Sequence, residues 1–492
     1  MLLAFFILIS FGLKSQVNGA IVSVENNLKV LKIWGTHAER GYAYGSLLGQ
    51  EINDVFGNYV KPQFGAYYPY ARVIVESGQH LVYDSVFVTE AKAIIAGMNQ
   101  TSKNTLNLDY IDLLVCNSLL DISKLLSSPS GIACSTLMSW GDATSGTDLA
   151  GKSVITRHLD WHTSPTLVNN QIICVSQPSD EDEQAWVSVG FAGMFSVLSG
   201  FNEHLGVFQN MMDDFQGYAT YGKQYEPVWF SLRKSIEKKD FNGDGKNNVQ
   251  DVKSALMSNS RGYAGAYLIS AMAESTETED SLITLIAEIA PTAPYQTFRN
   301  NSYADNIPGD NLYTANFQIA RNNAKNYCSR YNGVVSAIGT GTNISTSSSW
   351  EIMRDHSHLD HNLQFMQYAP ELNLFKIAIY GNNKPAYQNT PVSFNISNLL
   401  SEYAGVDDVT DRLAVSIYPN PMQDVMIIHG LDRSNESAKI FVQDIAGKHV
   451  FEVVATSVES SCQFNVASLS TGMYVVKVQC GDAVSSNIVI KQ

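Results

Sequence analysis

The segment GIACSTLMSWGDATSGTDLAGKSVITRHLDWHTSP, residues 131–165, concentrates side chains able to do chemistry. Cys134 opens a β-type run directly after small residues, and a second run ends in Arg157-His158-Leu159-Asp160-Trp161. Attack on an amide carbonyl needs a nucleophile, a proton acceptor and donors for the tetrahedral oxyanion. Arg157 would lend the positive potential that favours a thiolate, and Asp160 would hold a charged donor through a hydrogen bond. Taken singly, Cys134 reads as a buried strand thiol and the Arg157–Asp160 pair as a strand-end salt bridge; the ordered set points to catalysis. His158 and His162 offer a second arrangement, a papain-like Cys–His pair. Strand alternation, however, turns His158 away from Arg157. His356, His358 and His361 have no metal-site spacing such as HExxH and read as a polar loop.

A second cluster lies in DFNGDGKNNVQD, residues 240–251. Asp240, Asn242, Asp244, Lys246, Asn248 and Asp251 fall at loop positions 1, 3, 5, 7, 9 and 12, with Gly245 at position 6. Oxygen ligands at this spacing, and a glycine at the sharp turn, are what Ca²⁺ binding requires. The closing Asp resembles the dockerin-type calcium loop. A structural Ca²⁺ is expected, bracing the following helix and taking no part in catalysis. A single copy argues against a cohesin-binding dockerin, which is built from two.

These segments need a framework. At roughly 150 residues per domain, 492 residues predict about three units. With 45% hydrophobic and 16% charged residues the chain is too apolar for a disordered one. Acidic residues outnumber Lys plus Arg by 47 to 32, a net charge of −15. That field repels phosphate backbones and anionic membrane surfaces, so no nucleic-acid partner is expected. Leu2 to Leu13 is almost purely apolar and gives way to Gly19-Ala20, which reads as a secretory signal peptide over 1–20, too short for a transmembrane span. Residues 21–133 read as a helical pro-segment, from apolar spacing in Val86–Met98 and Leu106–Leu126. Short β-type runs follow at 135–140, 153–157, 172–176, 186–190 and 194–198, with helices at 226–238, 249–257 and 320–331. Alternating blocks of this kind predict layered α+β packing. The core is expected over 134–400, its last strand closing near Ile379. A linker at 401–412 precedes a small all-β sandwich at 413–492. Cys116 and Cys174 read as buried structural thiols; Cys462 and Cys480, both in the last strands, are candidates to pair.

Two resemblances add to this reading. Residues 413–492 resemble the C-terminal sorting domain of the type IX secretion system of Bacteroidetes, through Tyr418-Pro419-Asn420-Pro421, the Asp444-Ile445-Ala446-Gly447-Lys448 turn, Leu469-Ser470-Thr471-Gly472-Met473-Tyr474 and a last strand ending in Lys491. The resemblance implies export to the cell surface or beyond, with the secretion machinery as partner. Cys134-Ser135 followed by Arg157-His158-Leu159-Asp160-Trp161 looks like the N-terminal-nucleophile hydrolases. It is closest to the acyl-coenzyme A:6-aminopenicillanic acid acyltransferase-like cysteine peptidases, which are related to choloylglycine hydrolases and acid ceramidase. His158 and Thr156 depart from the family's Asn and Gly.

That second resemblance covers roughly residues 131–380 and implies a four-layer αββα core. It implies further site residues: Asn210 in SGFNEHLGVFQNMM for the oxyanion, Asn316 in YTANFQ, and Arg330 in CSRYN. It also implies cleavage before Cys134 into two chains that stay associated. The freed α-amine, with an ordinary pKa of about 7.7–8.0, then takes the thiol proton. The expected activity is hydrolysis, or acyl transfer, of a small-molecule N-acyl amide through an acyl-Cys134 intermediate. A non-catalytic surface binding protein and a phospholipase B-like lipid hydrolase are the alternatives.

Overall fold

The computed structural model describes residues 17–25, 27–126, 133–211, 216–220, 222–259, 262–275, 280–300, 303, 307–322, 328–403, 415–430, 438–444, 449–455, 461–480 and 483–492. Most of the expected signal peptide and linker, and the 445–448 turn, lie outside them. The chain divides into two units, residues 1–401 and 402–492.

The first unit is built on two sheets. Its strands are β1 (Gly19–Glu25), β2 (Leu28–Gly35), β3 (Ala133–Ser139), β4 (Val154–Asp160), β5 (Gln171–Pro178), β6 (Trp186–Phe191), β7 (Ser199–Phe201), β8 (Leu205–Met211), β9 (Tyr267–Ala273), β10 (Thr284–Ile289), β11 (Gln296–Arg299), β12 (Asn311–Thr314), β13 (Asn362–Ala369), β14 (Leu374–Ile379) and β15 (Val392–Asn395). Nine of them run in the order β1-β2-β5-β6-β7-β8-β9-β10-β11, and six in the order β12-β3-β4-β13-β14-β15. Every residue of β3 and β4 is buried, as expected of strands covered on both faces.

Three apolar clusters explain that burial. Leu28, Val30, Ile173, Val187 and Phe208 of the larger sheet meet Met138, Ile155, Met366 and Phe375 of the smaller one. Beyond the larger sheet lie the helices His37–Val55, Ser85–Gln100, Tyr110–Asn117 and Val228–Glu237. Beyond the smaller one, Leu137 and Phe365 pack against Tyr331, Val334, Trp350 and Met353 of the helices Ser329–Ile338 and Thr346–His356. The His37–Val55 and Ser85–Gln100 helices touch backbone to backbone. A Cβ on Gly45 would sit 1.9 Å from the Ile94 carbonyl oxygen, so only glycine allows that crossing.

The structure departs from the sequence expectations at four places. Residues before 133 are not purely helical: β1 and β2 form a hairpin, and β2 joins β5 in parallel. This segment is therefore part of the larger sheet. The signal-peptide boundary after Ala20 falls inside β1, where Gly19 and Ala20 pair with Ile33 and Lys32. The run at 194–198 is not a strand, because side chains satisfy its backbone. Tyr44 donates to the Met194 carbonyl, Asn117 accepts from the Phe195 and Ser196 amides, and Arg233 donates to the Phe195 carbonyl. The smaller sheet also continues past Ile379, through β15 to the helix Ile396–Leu400.

The second unit is all-β. Strands β16 (Ser416–Tyr418), β17 (Val425–His429) and β20 (Ser461–Asn465) make one sheet; β18 (Ala438–Asp444), β19 (His449–Ala455), β21 (Gly472–Cys480) and β22 (Ala483–Lys491) make the other. Met422, Met426, Ile428, Ile440, Val442, Val476 and Val489 form their common core. The side chain of Cys480 lies outside the described residues, and with it the expected pairing to Cys462.

Candidate active site

The six predicted catalytic residues collect at one end of the smaller sheet, on its two faces. Antiparallel pairing sets Ala133 opposite Asp160, Cys134 opposite Leu159 and Thr136 opposite Arg157. Because side chains alternate, Cys134, Thr136 and Arg157 share the face of Met138 and Ile155, which looks toward the larger sheet. Asp160 and His158 take the opposite face, with Leu137 and the outer helices.

On the inner face Cys134 is fully buried, and Arg157 Nη2 lies 3.5 Å from its sulfur. Arg157 also donates to Ser199 Oγ at 2.8 Å and to the Gln209 carbonyl at 2.7 Å. The guanidinium is completely buried with no carboxylate among these partners, and its Nε has no hydrogen-bond partner. Burial pulls its pKa below the usual value, against the pull of Cys134 and Asp160. Burying a cation without a counter-ion costs several kcal/mol. Among the described groups hydrogen-bonded to Arg157, the Cys134 sulfur is the one that can become an anion and, with the more distant Asp160, offset that cost. Burial alone lifts Cys116 to about 12, and burial with the charge of Glu90 does the same for Cys174, as expected of structural thiols.

Asn210, on β8, is tied to the same face. Its Oδ1 accepts from Thr136 Oγ1 at 3.2 Å, while its buried Nδ2 has no partner. An orphan buried donor is costly in a resting structure and useful where negative charge develops.

On the outer face, Asp160 Oδ1 accepts from Asn362 Nδ2 at 3.0 Å, and Arg330 Nη1 approaches Oδ2 at 3.4 Å. Arg330 in turn donates to Asn316 Oδ1. Burial raises the Asp160 carboxyl to about 7, held back from going higher by Arg330, Asn362 and Arg157. Asp160 is the register partner of Ala133. Asn362 stands where β13 shifts register against β4. Thr136, Ser199, Gln209 and Asn362 carry no sequence signal; only strand pairing brings them here.

His158 is not placed to serve Cys134. Its ring stacks on Phe365 at 4.1 Å, Nε2 faces the Met353 carbonyl at 3.0 Å, and burial first of all drives its pKa down to about 3. His162 Nδ1 is engaged with Tyr59 Oη at 2.8 Å.

In the 240–251 loop the carboxylates hold backbone amides. Asp240 accepts from the Gly243, Asp244 and Gly245 amides; Asp251 accepts from those of Phe241, Asn242 and Asn248. Asn248 caps the helix Val249–Ser258. Asn242 Nδ2 donates to Asp244 Oδ2, and the Lys246 amide to Asp244 Oδ1.

Among the described residues, the group whose ligand atoms lie within 4.8 Å of one another is His37, Glu183 and Glu237. It is a buried ion-pair hub. His37 Nδ1 faces Glu90 at 2.8 Å and its Nε2 faces Glu183 at 3.1 Å. With a carboxylate on each nitrogen the ring carries both protons and has no lone pair for a metal. Burial lowers His37, but hydrogen bonds to Glu183 and Glu90 outweigh it and raise the pKa to about 9. Arg40, Arg233 and Lys238 supply the remaining positive charge. No sequence motif marks this hub, because its members are spread over 200 residues.

Comparison with known proteins bears on different parts of the chain. The protein dcd1B of Dictyostelium discoideum is 22% identical over 246 residues, 45% of this chain and 46% of that protein. The protein dcd1A of the same organism is 23% identical over 240 residues, 43% of this chain and 50% of that protein. The chain thus spans about half the length of the curated relatives it matches. Among the described residues no helix is long and apolar enough to cross a membrane. Residues 416–492, the second β unit, match the family model of the secretion system C-terminal sorting domain, so the protein is exported by the type IX system to the cell surface or the extracellular space.

Proposed function

We propose that the first unit is a self-cleaving N-terminal-nucleophile amidohydrolase with the four-layer αββα core of that superfamily. It acts on small N-acyl amides through an acyl-Cys134 intermediate. The observation that carries this reading is the wholly buried Arg157 guanidinium, which has the Cys134 sulfur within reach and, among the described residues, no carboxylate hydrogen-bonded to it. Asp160, in register with the scissile Ala133, supports it.

Activation begins when Cys134 Sγ attacks the Ala133 carbonyl carbon. The C–N bond breaks, the nitrogen takes the thiol proton, and the resulting thioester is hydrolysed by water. The product is a free α-amine on Cys134, held by Asp160. In turnover that amine accepts the thiol proton. The thiolate adds to the substrate carbonyl, and the amine returns the proton to the leaving nitrogen. Asn210 Nδ2 donates to the oxyanion. Water, or an acceptor amine, then releases the acyl group.

The mass of the secreted protein tests this. Two associated chains, the second starting at Cys134, are expected, with turnover in a panel of N-acyl amides. Cys134→Ala is expected to remain one chain and to be inactive. An intact wild-type chain that hydrolyses amides overturns the cleavage, and turnover by Cys134→Ala overturns the nucleophile. A chain that binds amides without consuming them is the surface binding protein instead.

We also propose that the 240–251 loop takes a structural Ca²⁺ through Asp240, Asn242, Asp244, the Lys246 carbonyl, Asn248 and Asp251. The donor set is all oxygen, and Gly243 and Gly245 hold φ of 83° and 89°, the left-handed turn such a loop needs. Added EGTA is expected to lower Tm, and excess Ca²⁺ to restore it; a Tm that ignores both removes the ion from this account.

A further inference from the structure

Tyr59 lies in the segment before the proposed cleavage site, yet its side chain reaches the candidate active site. It sits in a π-helical turn, Phe56–Val60, that follows directly on the helix His37–Val55. Such turns interrupt helices at functional sites more often than elsewhere. Here the turn buries Phe56, Tyr59 and Val60 together.

The Tyr59 oxygen accepts from Trp161 Nε1 at 2.7 Å, and its hydroxyl faces His162 Nδ1 at 2.8 Å. Burial, with the charge of His361, keeps His162 below its ordinary pKa, which favours the neutral ring whose Nδ1 can accept from Tyr59. One phenol thus fixes the two residues that follow Asp160. Trp161 packs on Phe191 and Trp229 at centroid distances of 6.2 and 6.4 Å. Trp229 donates its Nε1–H to the Gln209 side chain, and the Gln209 carbonyl receives Arg157. Gln209 immediately precedes Asn210. A continuous chain of contacts therefore runs from Tyr59 to the groups beside Cys134.

We propose that Tyr59 is a positioning residue for acyl transfer at Cys134, contributed by the N-terminal chain after cleavage. This rests on the hydrolase reading above. It makes the N-terminal segment a working part of the enzyme in addition to a folding aid. The hydroxyl holds Trp161, and through Trp161 and Trp229 it holds Gln209 and Arg157 in place.

Tyr59→Phe removes only the oxygen and leaves the ring to pack. Self-cleavage, slowed in the same way, is expected still to go to completion and KM to stay near wild type while kcat falls about tenfold, as for one lost neutral hydrogen bond. Trp161→Phe, which also gives up indole packing on Phe191 and Trp229, is expected to be at least as slow, and the double variant to lose less than the product of the two single losses, since both remove the Tyr59–Trp161 bond. An active wild type with unchanged kcat in Tyr59→Phe overturns the inference alone. So does a double variant whose losses multiply, the mark of independent structural damage. A wild type that neither cleaves nor turns over substrate overturns the hydrolase reading beneath it.

Discussion

Asn210→Ala is expected to lower kcat for amide hydrolysis about 100- to 1,000-fold with little change in KM. The reasoning starts from an unpaired donor. Asn210 Nδ2 is buried without a partner, while Oδ1 is held by Thr136, two residues beyond Cys134 on the same face. A donor kept dry and unpaired contributes little to a neutral ground state and much to an oxyanion. Asn210→Asp is expected to be at least as slow, since a carboxylate has no proton to donate and repels the developing charge. Steady-state kinetics on protein of unchanged circular dichroism decide it. Asn210→Ala with wild-type kcat removes Asn210 from the oxyanion site.

The second large effect concerns the buried ion-pair hub. Arg233 pairs with Glu90 at 2.7 Å and Glu237 at 2.9 Å, and its guanidinium lies over the rings of Phe87 and Trp186. Arg233→Met keeps most of the volume and takes one cationic partner from each of two buried carboxylates, leaving Glu90 to His37 and Glu237 to Arg40, a change expected to cost about 3–5 kcal/mol. His37, Arg40 and Glu90 precede the proposed cleavage site; Glu183, Arg233 and Glu237 follow it. The same substitution is therefore expected to weaken the association of the two cleaved chains, so that they separate on size exclusion at a lower denaturant concentration than in the wild type. Glu90→Gln added to Arg233→Met is expected to recover part of the loss.

The hub also sets a pH dependence. His37 is raised to about 9 in the folded protein from an ordinary 6.5, so its contribution is complete below about 6.5 and is lost as pH rises through 9. Glu90 is lowered to about 2: burial would raise it, and Arg233 and His37 outweigh burial. Its contribution is present above about 4.5 and lost only in strong acid. Chemical denaturation is expected to show stability declining between pH 6.5 and 9, and His37→Gln to flatten that decline. A wild-type protein equally stable at both ends contradicts the charged assignment.

Much of the local structure was legible in the residues. Short β-type runs bounded by turn residues marked β3, β4, β5 and β6, and helical apolar spacing marked Ser85–Gln100, because strand composition and apolar spacing record what a segment can bury. The tail was legible for the same reason, with turn motifs added. Elsewhere tertiary contacts overrode local preference. The 194–198 run has strand composition, but its amides and carbonyls go to Tyr44, Asn117 and Arg233, residues distant in sequence.

The candidate site divides along the same line. Residue types and order already named Cys134, Arg157 and Asp160, because a thiol, a cation and a carboxylate on adjacent strands are chemically informative wherever the strands lie. Tertiary structure alone decided that Arg157 is buried with the Cys134 sulfur beside it, that Asp160 is in register with Ala133, that His158 points into the outer layer, and that Tyr59 reaches Trp161. Burial, register and desolvation belong to the packed sheets, and a linear order of residues contains none of them.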